Sequence, residues 1–239
     1  MLEGLKEAMQ YLVKKGEDNQ IFKEIDGQTY TNLSLSMIQV PKPGALVTTT
    51  LTSLVDYIKS GYDEKASANL IVHVKSPNEV ILYSELRKDK IRETYLNCQA
   101  LIPSVHFGRY LDIEDFNIML QSNFVRTDET ADVLRIVGNV KETVEVNSVD
   151  DGVSQTAVVK TGVASVGKAI LPEQVELAPY RTFPEIQQPT STFILRLQKG
   201  PAAALFEADG GAWRNKAMES IKVYLTEQLG DISNIKIMS

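Results

Sequence analysis

The order in which apolar patterns follow one another constrains the fold of this 239-residue chain more than any single motif does. Apolar residues recur at helical spacing in residues 2–15, 112–138 and 212–229, whereas residues 70–83 alternate as two strands around a turn do. Residues 141–208 are strand-like. Because strands and helices do not alternate regularly, a doubly wound parallel sheet is disfavoured. The order predicts an α+β fold: mainly an antiparallel sheet or sandwich with helices packed on it.

Domain organisation has two readings at this length, since one large domain or two small ones both fit. The clearest change of pattern lies near residues 139–152. It separates an N-terminal α+β region, residues 1–140, from a strand-rich region closed by a C-terminal helix, residues 141–239. One continuous domain is the alternative.

Local signals mark where the helices begin and end. Thr48, Thr49 and Thr50 are N-cap candidates for a short helix that Gly61 ends. Asp112 and Thr127 are placed to open two further helices, and the acidic residues that follow each suit a helix N-terminus. Short strands are predicted over residues 21–25 and 33–40 and in several runs after residue 141.

Charge and cysteine content limit the classes of partner. The net charge is −6 and the isoelectric point is about 5.1, so attraction of the whole surface to nucleic acid or to an anionic membrane is disfavoured. The densest basic run, residues 87–92, is most simply a solvated turn. The single cysteine, Cys98, excludes an intrachain disulfide. No apolar run reaches membrane-spanning length and the N-terminus lacks a secretory core, so we expect a cytoplasmic protein.

One segment nearly matches a phosphate-binding loop. Residues 162–168 have the glycine and lysine spacing of that motif, but Ala169 stands where a hydroxyl must reach Mg²⁺. Pro172 follows closely and would break the helix that such a loop must open. We therefore interpret the segment as a loop between strands, without nucleotide triphosphate binding.

The residue types that carry catalysis do not form a recognisable set. His73 lies in an apolar strand pattern, and His106 lies in a loop-like segment far along the chain. Neither has a positioned partner for a nucleophile triad, and the spacing of cysteine and histidine does not suit zinc. We expect a protein that is not an enzyme, with no metal and no cofactor.

Two segments nevertheless make a candidate ligand-binding site. Gly210 and Gly211 precede a helix, where free backbone N–H groups can bind an anion, and Arg214 lies in its first turn. In the second segment, an aromatic residue beside an arginine suits stacking on a base. The complete candidate set is Arg181, Tyr180, Glu207, Asp209, Gly210, Gly211 and Arg214. The alternative is two packed turns with Trp213 as a core anchor.

Several blocks resemble the YfdQ-like family of phage and prophage proteins, a domain of unknown function. The blocks are residues 53–58, 126–128, 151–155, 177–185, 188–189 with Phe193 and Leu195, and 205–214. The resemblance extends from about residue 45 to 229. It implies a phage or prophage origin and expression inside a bacterial host. It implies no activity and no catalytic residue, because none is assigned to that family.

These observations lead to two main hypotheses of function. The first is a non-enzymatic protein that self-associates into a homo-oligomer, because the strand-rich half offers edges for pairing. The alternative is a module that binds a nucleotide or single-stranded nucleic acid, as a counter-measure to host defence or an accessory of recombination. An enzyme that uses carboxylates alone, or a metal that the sequence does not reveal, is a third and weaker hypothesis.

Overall fold

A computed structural model describes residues 2–18, 22–31, 38, 41–63, 65, 68–139, 156–160, 166–170, 172–198, 200 and 202–239. The helices are α1 (Leu2–Asp18), α2 (Leu51–Ser60), α3 (Ile113–Asn123), α4 (Asp128–Gly138) and α5 (Trp213–Leu229). The strands are β1 (Phe22–Ile25), β2 (Gln28–Thr31), β3 (Leu46–Thr48), β4 (Leu70–Ser76), β5 (Glu79–Ser84), β6 (Thr94–Gln99), β7 (Leu111–Asp112), β8 (Thr156–Lys160), β9 (Val166–Ile170), β10 (Val175–Leu177), β11 (Ser191–Gln198), β12 (Ala202–Glu207) and β13 (Ile235–Met238). The predicted α+β class is confirmed.

A five-stranded sheet in the order β13-β4-β5-β6-β3 forms the first packed unit. Its three central strands are antiparallel, and each edge strand runs parallel to its neighbour. In β4, Leu70, Val72 and Val74 are buried while the residues between them are partly exposed. The buried face packs against α2 and α5 and forms the first core. The residues buried at alternate positions therefore form one face of this sheet, and helices cover that face, as the sequence pattern predicts.

A four-stranded antiparallel sheet in the order β10-β11-β12-β7 forms the second unit. In β11, Phe193, Leu195 and Leu197 are buried, and they pack against α3 and α4 in the second core. Phe107 stacks on Phe193 with ring centroids 5.1 Å apart, and Phe124 meets Phe193 edge-on at 6.3 Å. Aromatic packing thus anchors the helices on this sheet.

Residues 178–190, which we call the linking segment, connect β10 to β11 and tie the two units together. Phe183 and Ile186 of this segment are part of the first core. Thr182 donates its hydroxyl hydrogen to the carbonyl of Pro77 over 2.5 Å. Glu185 accepts hydrogen bonds from the backbone N–H and the hydroxyl of Thr52 at 2.9 and 3.1 Å, at the N-terminus of α2.

Both sheets contain strands from both sides of residue 140, so the predicted boundary at 140/141 runs through both units. Division into two domains stays a prediction.

The predicted helix boundaries agree with the structure where capping decides them. Thr50, Asp112 and Thr127 are the N-caps of α2, α3 and α4, and each side chain accepts a hydrogen bond from a backbone N–H three residues on. Gly61 ends α2 in the left-handed region, at φ 62°. The hairpin over residues 70–83 and the strands at residues 156–160 and 175–177 are also confirmed.

The interpretation of residues 162–169 as a loop is wrong for its second half. Val166–Ile170 is the strand β9, which pairs antiparallel with β8 so that Lys168 lies opposite Val158. The lysine of the phosphate-loop-like motif therefore lies within a strand and does not precede a helix. The sequence pattern also missed β2 and β3. The first of the strands predicted after residue 141 lies outside the described residues. So does most of the strand predicted over residues 33–40.

The N-terminal part of the chain forms an arm, by which we mean α1 and the hairpin β1–β2. In β1, all four residues are exposed, and along α1 every described side chain is exposed. Next to the hairpin, Ile38 N–H donates to the carbonyl of Thr29 at 3.0 Å. Both cores are built from other elements. In the described part of the chain, no helix combines the length and apolarity needed to cross a membrane.

Candidate functional site

The linking segment and the turn between β12 and α5 meet around the guanidinium of Arg181. The residue is only 6% exposed. Its Nη1 donates to Oε1 of Glu207 at 3.1 Å, and its Nη2 donates to the carbonyl of Pro189 at 3.2 Å and to the hydroxyl of Ser191. The backbone N–H of Arg181 donates to the side-chain carbonyl of Gln188 at 2.9 Å. Arg181 is thus held from both its backbone and its side chain.

An indole completes the surroundings of this cation. The guanidinium carbon of Arg181 lies 3.9 Å from the ring centroid of Trp213, within the range of a cation–π interaction, and Arg214 approaches the same ring at 5.0 Å. Burial lowers the pKa of Arg181 to about 10, although the charges of Glu207 and Asp209 act in the opposite direction. The side chain therefore remains cationic at neutral pH.

Asp209 occupies the N-terminus of α5. Its Oδ1 accepts a hydrogen bond from the backbone N–H of Gly211 at 2.9 Å, and its Oδ2 accepts from the N–H of Trp213 at 3.3 Å and from the hydroxyl of Ser191 at 2.5 Å. Partial burial disfavours the carboxylate, but these hydrogen bonds and the charge of Arg181 outweigh it, so the pKa of Asp209 lies below its ordinary value. The chain's own carboxylate thus takes the place that the sequence suggested for a bound anion.

Two glycines make this arrangement sterically accessible. Gly210 and Gly211 have φ of 62° and 82°, in the left-handed region that side-chain-bearing residues rarely adopt. The guanidinium of Arg214 also folds back onto Gly211, where a methyl group would collide with it. The glycines therefore let the chain turn sharply from β12 into α5 while Asp209 reaches back to cap the helix.

The structure brings the predicted site residues together. Arg181, Glu207 and Asp209 share one network, in which Ser191 accepts from the arginine and donates to Asp209. Gly211 joins through its N–H, whereas Tyr180 and Arg214 remain exposed. Ser191 and Gln188 belong to the network but were not predicted, because a serine at a strand start and a loop glutamine carry no local signal. Whether this cluster binds a ligand stays a prediction.

Two concave surfaces in the described part of the chain lie away from this cluster. A groove of about 610 Å³ runs along the outer side of α5 and is lined by residues that include Met218, Lys222 and Val223. A smaller cavity of about 320 Å³ lies beside the end of α2, next to Gly61 and Asn234. Neither is lined by a residue of the candidate set.

The other chemically interesting side chains occupy separate places. His73 lies in β4, partly exposed, and His106 is exposed between β6 and β7. Cys98 is fully buried in β6, and its Sγ donates to the carbonyl of Thr50 at 3.0 Å. Burial raises the pKa of the Cys98 thiol to about 11. Among the described residues, no three histidine, cysteine or acidic side chains are grouped so as to hold a metal ion.

Replacing Arg181 should destabilise the protein far more than the same replacement at Arg214. An Arg181→Lys variant loses the planar fork that reaches Glu207, Pro189 and Ser191 together, and we expect a loss of roughly 3 kcal/mol in the free energy of unfolding. Arg214→Lys, at an exposed site on the same indole, should change it by less than about 0.5 kcal/mol. Urea unfolding followed by tryptophan fluorescence measures both. Equal effects of the two variants would contradict a structural role for Arg181.

Asp209 should stabilise the protein only where it is ionised. Because its pKa is lower in the folded state, its contribution is present above the pKa of an unfolded aspartate, near 4, and disappears as pH falls through the folded pKa. Asp209→Asn should therefore cost about 1–2 kcal/mol at pH 7 and progressively less toward pH 3. Urea unfolding of both proteins across that range tests this. A difference that does not vary with pH would show that charge is irrelevant.

The thiol of Cys98 should be unreactive until the protein unfolds. Its burial and raised pKa both suppress the thiolate, which is the reactive form. At pH 8 we expect a thiol-specific disulfide reagent to modify less than about one tenth of the folded protein in the time that fully modifies the urea-unfolded chain. Fast modification of the folded protein at the rate of a free thiol would contradict the packing described for β6.

Comparison with known proteins assigns no family to this fold. The chain matches no protein-family model, no curated protein and no solved structure. The resemblance to the YfdQ-like phage family therefore stays a prediction. Two of the blocks that carry it, residues 177–185 and 205–214, are the two segments that meet around Arg181.

Proposed function

We propose that this is a phage- or prophage-encoded, non-enzymatic protein of the bacterial cytoplasm that self-associates through helix α1. The observation that supports self-association is the apolar stripe of α1, which lies in solvent. Leu5, Met9, Leu12 and Val13 are 61–66% exposed. The phage origin rests on the sequence blocks that resemble the YfdQ-like family, such as residues 205–214.

The stripe has the spacing of a helix–helix seam. Leu2, Leu5, Met9 and Leu12 follow one another at intervals of three, four and three residues, which is the heptad pattern of a coiled coil. At 100° per residue these positions and Val13 fall on one side of the helix, while Glu3, Glu7 and Lys14 fall on the other. An amphipathic helix of this kind is stabilised when its apolar side packs against a partner.

A second copy of α1 suits this stripe. An isolated helix of α1's length is marginal in water, because helix propensity alone barely compensates nucleation. Pairing two copies about a two-fold axis buries the same side chains on both, which is the commonest form of homo-oligomer contact. Two heptads make a short seam, and the exposed Phe22 and Ile25 of the neighbouring hairpin offer additional apolar surface.

The internal use of polar groups supports a non-enzymatic role. Catalytic acids and bases must meet a substrate, yet Arg181 is bonded to Glu207, Pro189 and Ser191, and Asp209 caps α5. The thiol of Cys98 is shielded by burial. In each case the reactive group is engaged by the fold itself.

Self-association should depend on Met9 and not on its neighbour Gln10. Met9→Glu and Gln10→Glu introduce the same charge at two exposed positions, but only the first lies in the stripe. We expect the wild type and Gln10→Glu to form dimers at micromolar concentration. Met9→Glu should dissociate at least tenfold more readily, which corresponds to about 1.4 kcal/mol. Light scattering coupled to size-exclusion chromatography measures the mass of each.

Two outcomes would contradict the proposal. One is a wild-type protein that remains monomeric up to about 100 μM, a concentration at which even a weak specific dimer is detected. The other is a dimer that both variants keep equally well, because the contact would then lie outside α1. Circular dichroism of the variants verifies that the remaining fold is intact.

A further inference from the structure

In the part of the chain that the structure describes, the helices pack on one face of the five-stranded sheet and leave the other uncovered. Since Leu70, Val72 and Val74 point to α2 and α5, the alternate residues of β4, Ile71 and His73, lie on the opposite face. Tyr83 pairs with Ile71 in the register, and its ring lies 6.4 Å from that of His73 at an angle of 35°. We call this the open face. It presents two neighbouring aromatic rings, both partly exposed.

Next to this face lies a basic loop that the hydrogen bonds of Arg87 stabilise. Residues 85–93 join β5 to β6, and inside them Arg87 donates to Asp89 over 2.5 Å and to Glu93 over 3.1 Å. The side chains of all three are no more than 13% exposed. Asp89 also accepts the backbone N–H of Ile91 at 3.1 Å. Both acidic groups are thereby engaged within the loop, with one guanidinium offsetting one of their two charges, while the exposed residues Lys88, Lys90 and Arg92 remain on its surface.

Further cations border the same end of the sheet. Lys236 pairs with Ile71 in β13 and is exposed on the open face, in the row that contains Tyr83. The pKa of Asp89 lies below its ordinary value mainly because Arg87 donates a hydrogen bond to it. The charge of Lys42, an exposed residue near the loop, contributes in the same direction. Glu85, an exposed acid at the start of the loop, accepts a hydrogen bond from Asn69 at 2.9 Å. Glu79, near the opposite end, forms an ion pair with Lys75 at 2.9 Å.

We propose that the open face binds single-stranded nucleic acid. Tyr83 and His73 stack with unpaired bases, and Lys88, Lys90 and Arg92, with Lys42 and Lys236, contact the phosphates. Aromatic rings on an exposed antiparallel sheet, bordered by cations, are a recurrent way of binding single strands. A duplex hides its bases from such rings. Because the chain's net charge is −6, nucleic acid is attracted only to this basic border. We therefore expect a contact that is short and salt-sensitive.

The proposal is tested by fluorescence anisotropy with labelled 12-mers of thymidylate and of uridylate and the full-length protein. We expect binding of both at roughly micromolar Kd in 50 mM salt, weakening about twentyfold to fiftyfold by 200 mM as three to four phosphate contacts are screened. A 12-bp duplex should bind at least tenfold more weakly.

Matched variants separate stacking from charge. Tyr83→Leu removes the ring and keeps an apolar side chain, and should weaken binding about fivefold to a hundredfold. Tyr110→Leu, at an exposed tyrosine that packs edge-on against Phe206 in the second unit, should leave the Kd unchanged. Lys88→Gln with Lys90→Gln should weaken binding and reduce the salt dependence, whereas Lys216→Gln with Lys222→Gln, an equal charge change on exposed α5 residues, should do neither.

Three results would overturn the proposal. The first is an unchanged anisotropy up to about 100 μM protein at 50 mM salt. The second is equal binding by Tyr83→Leu and the wild type, with thermal unfolding showing both folded. The third is competition by polyglutamate as effective as that by thymidylate, which would identify a site for acidic peptides. Met9→Glu should retain the wild-type Kd for a 12-mer, so failure of self-association and failure of nucleic-acid binding are distinguishable.

Discussion

The arrangement of the two sheets depends on the hydrogen bonds that the buried guanidinium of Arg181 forms. A cation removed from water needs hydrogen-bond partners, and the two terminal nitrogens of Arg181 find them in Glu207, Pro189 and Ser191. This places the linking segment against β11 and β12. Farther along the same segment, Phe183 enters the first core and Glu185 reaches the N-terminus of α2. The hydrogen bonds between one buried charge of the linking segment and the second unit thereby determine the position of the first unit.

The same constraint explains why a helix start with two glycines does not present free N–H groups. The N-terminus of α5 attracts negative charge, and Arg181 adds to that attraction. Asp209 lies between them and satisfies both, with Ser191 as the bridge. An external anion would have to displace a carboxylate that is already hydrogen-bonded and whose pKa is lowered. Among the candidate residues, Tyr180, Glu207, Gly210 and Arg214 are exposed, and of these Glu207 is already engaged by Arg181.

How far the fold could be predicted depends on the distance along the chain over which each signal acts. Thr50, Asp112 and Thr127 were recognised as caps because their partners are three residues away. The strand β3 was missed because three residues in a parallel edge pairing have no period of their own. At the candidate site, the segments around Arg181 and Asp209 were identified. Their relation through Ser191 was not, since it is fixed by β11–β12 pairing across a turn.

The proposed self-association and the binding proposed for the open face would reinforce each other energetically. With two rings and a small set of cations, one open face gives only modest affinity, because each stacked base contributes about 1–3 kcal/mol before the entropy of ordering the strand is subtracted. A dimer formed through α1 carries two open faces. A strand that spans both binds the second at high effective concentration, which raises its affinity without any new contact. Under both proposals, the arm, which belongs to neither core, would therefore determine how tightly the sheet holds a long strand while leaving the affinity for a short one unchanged.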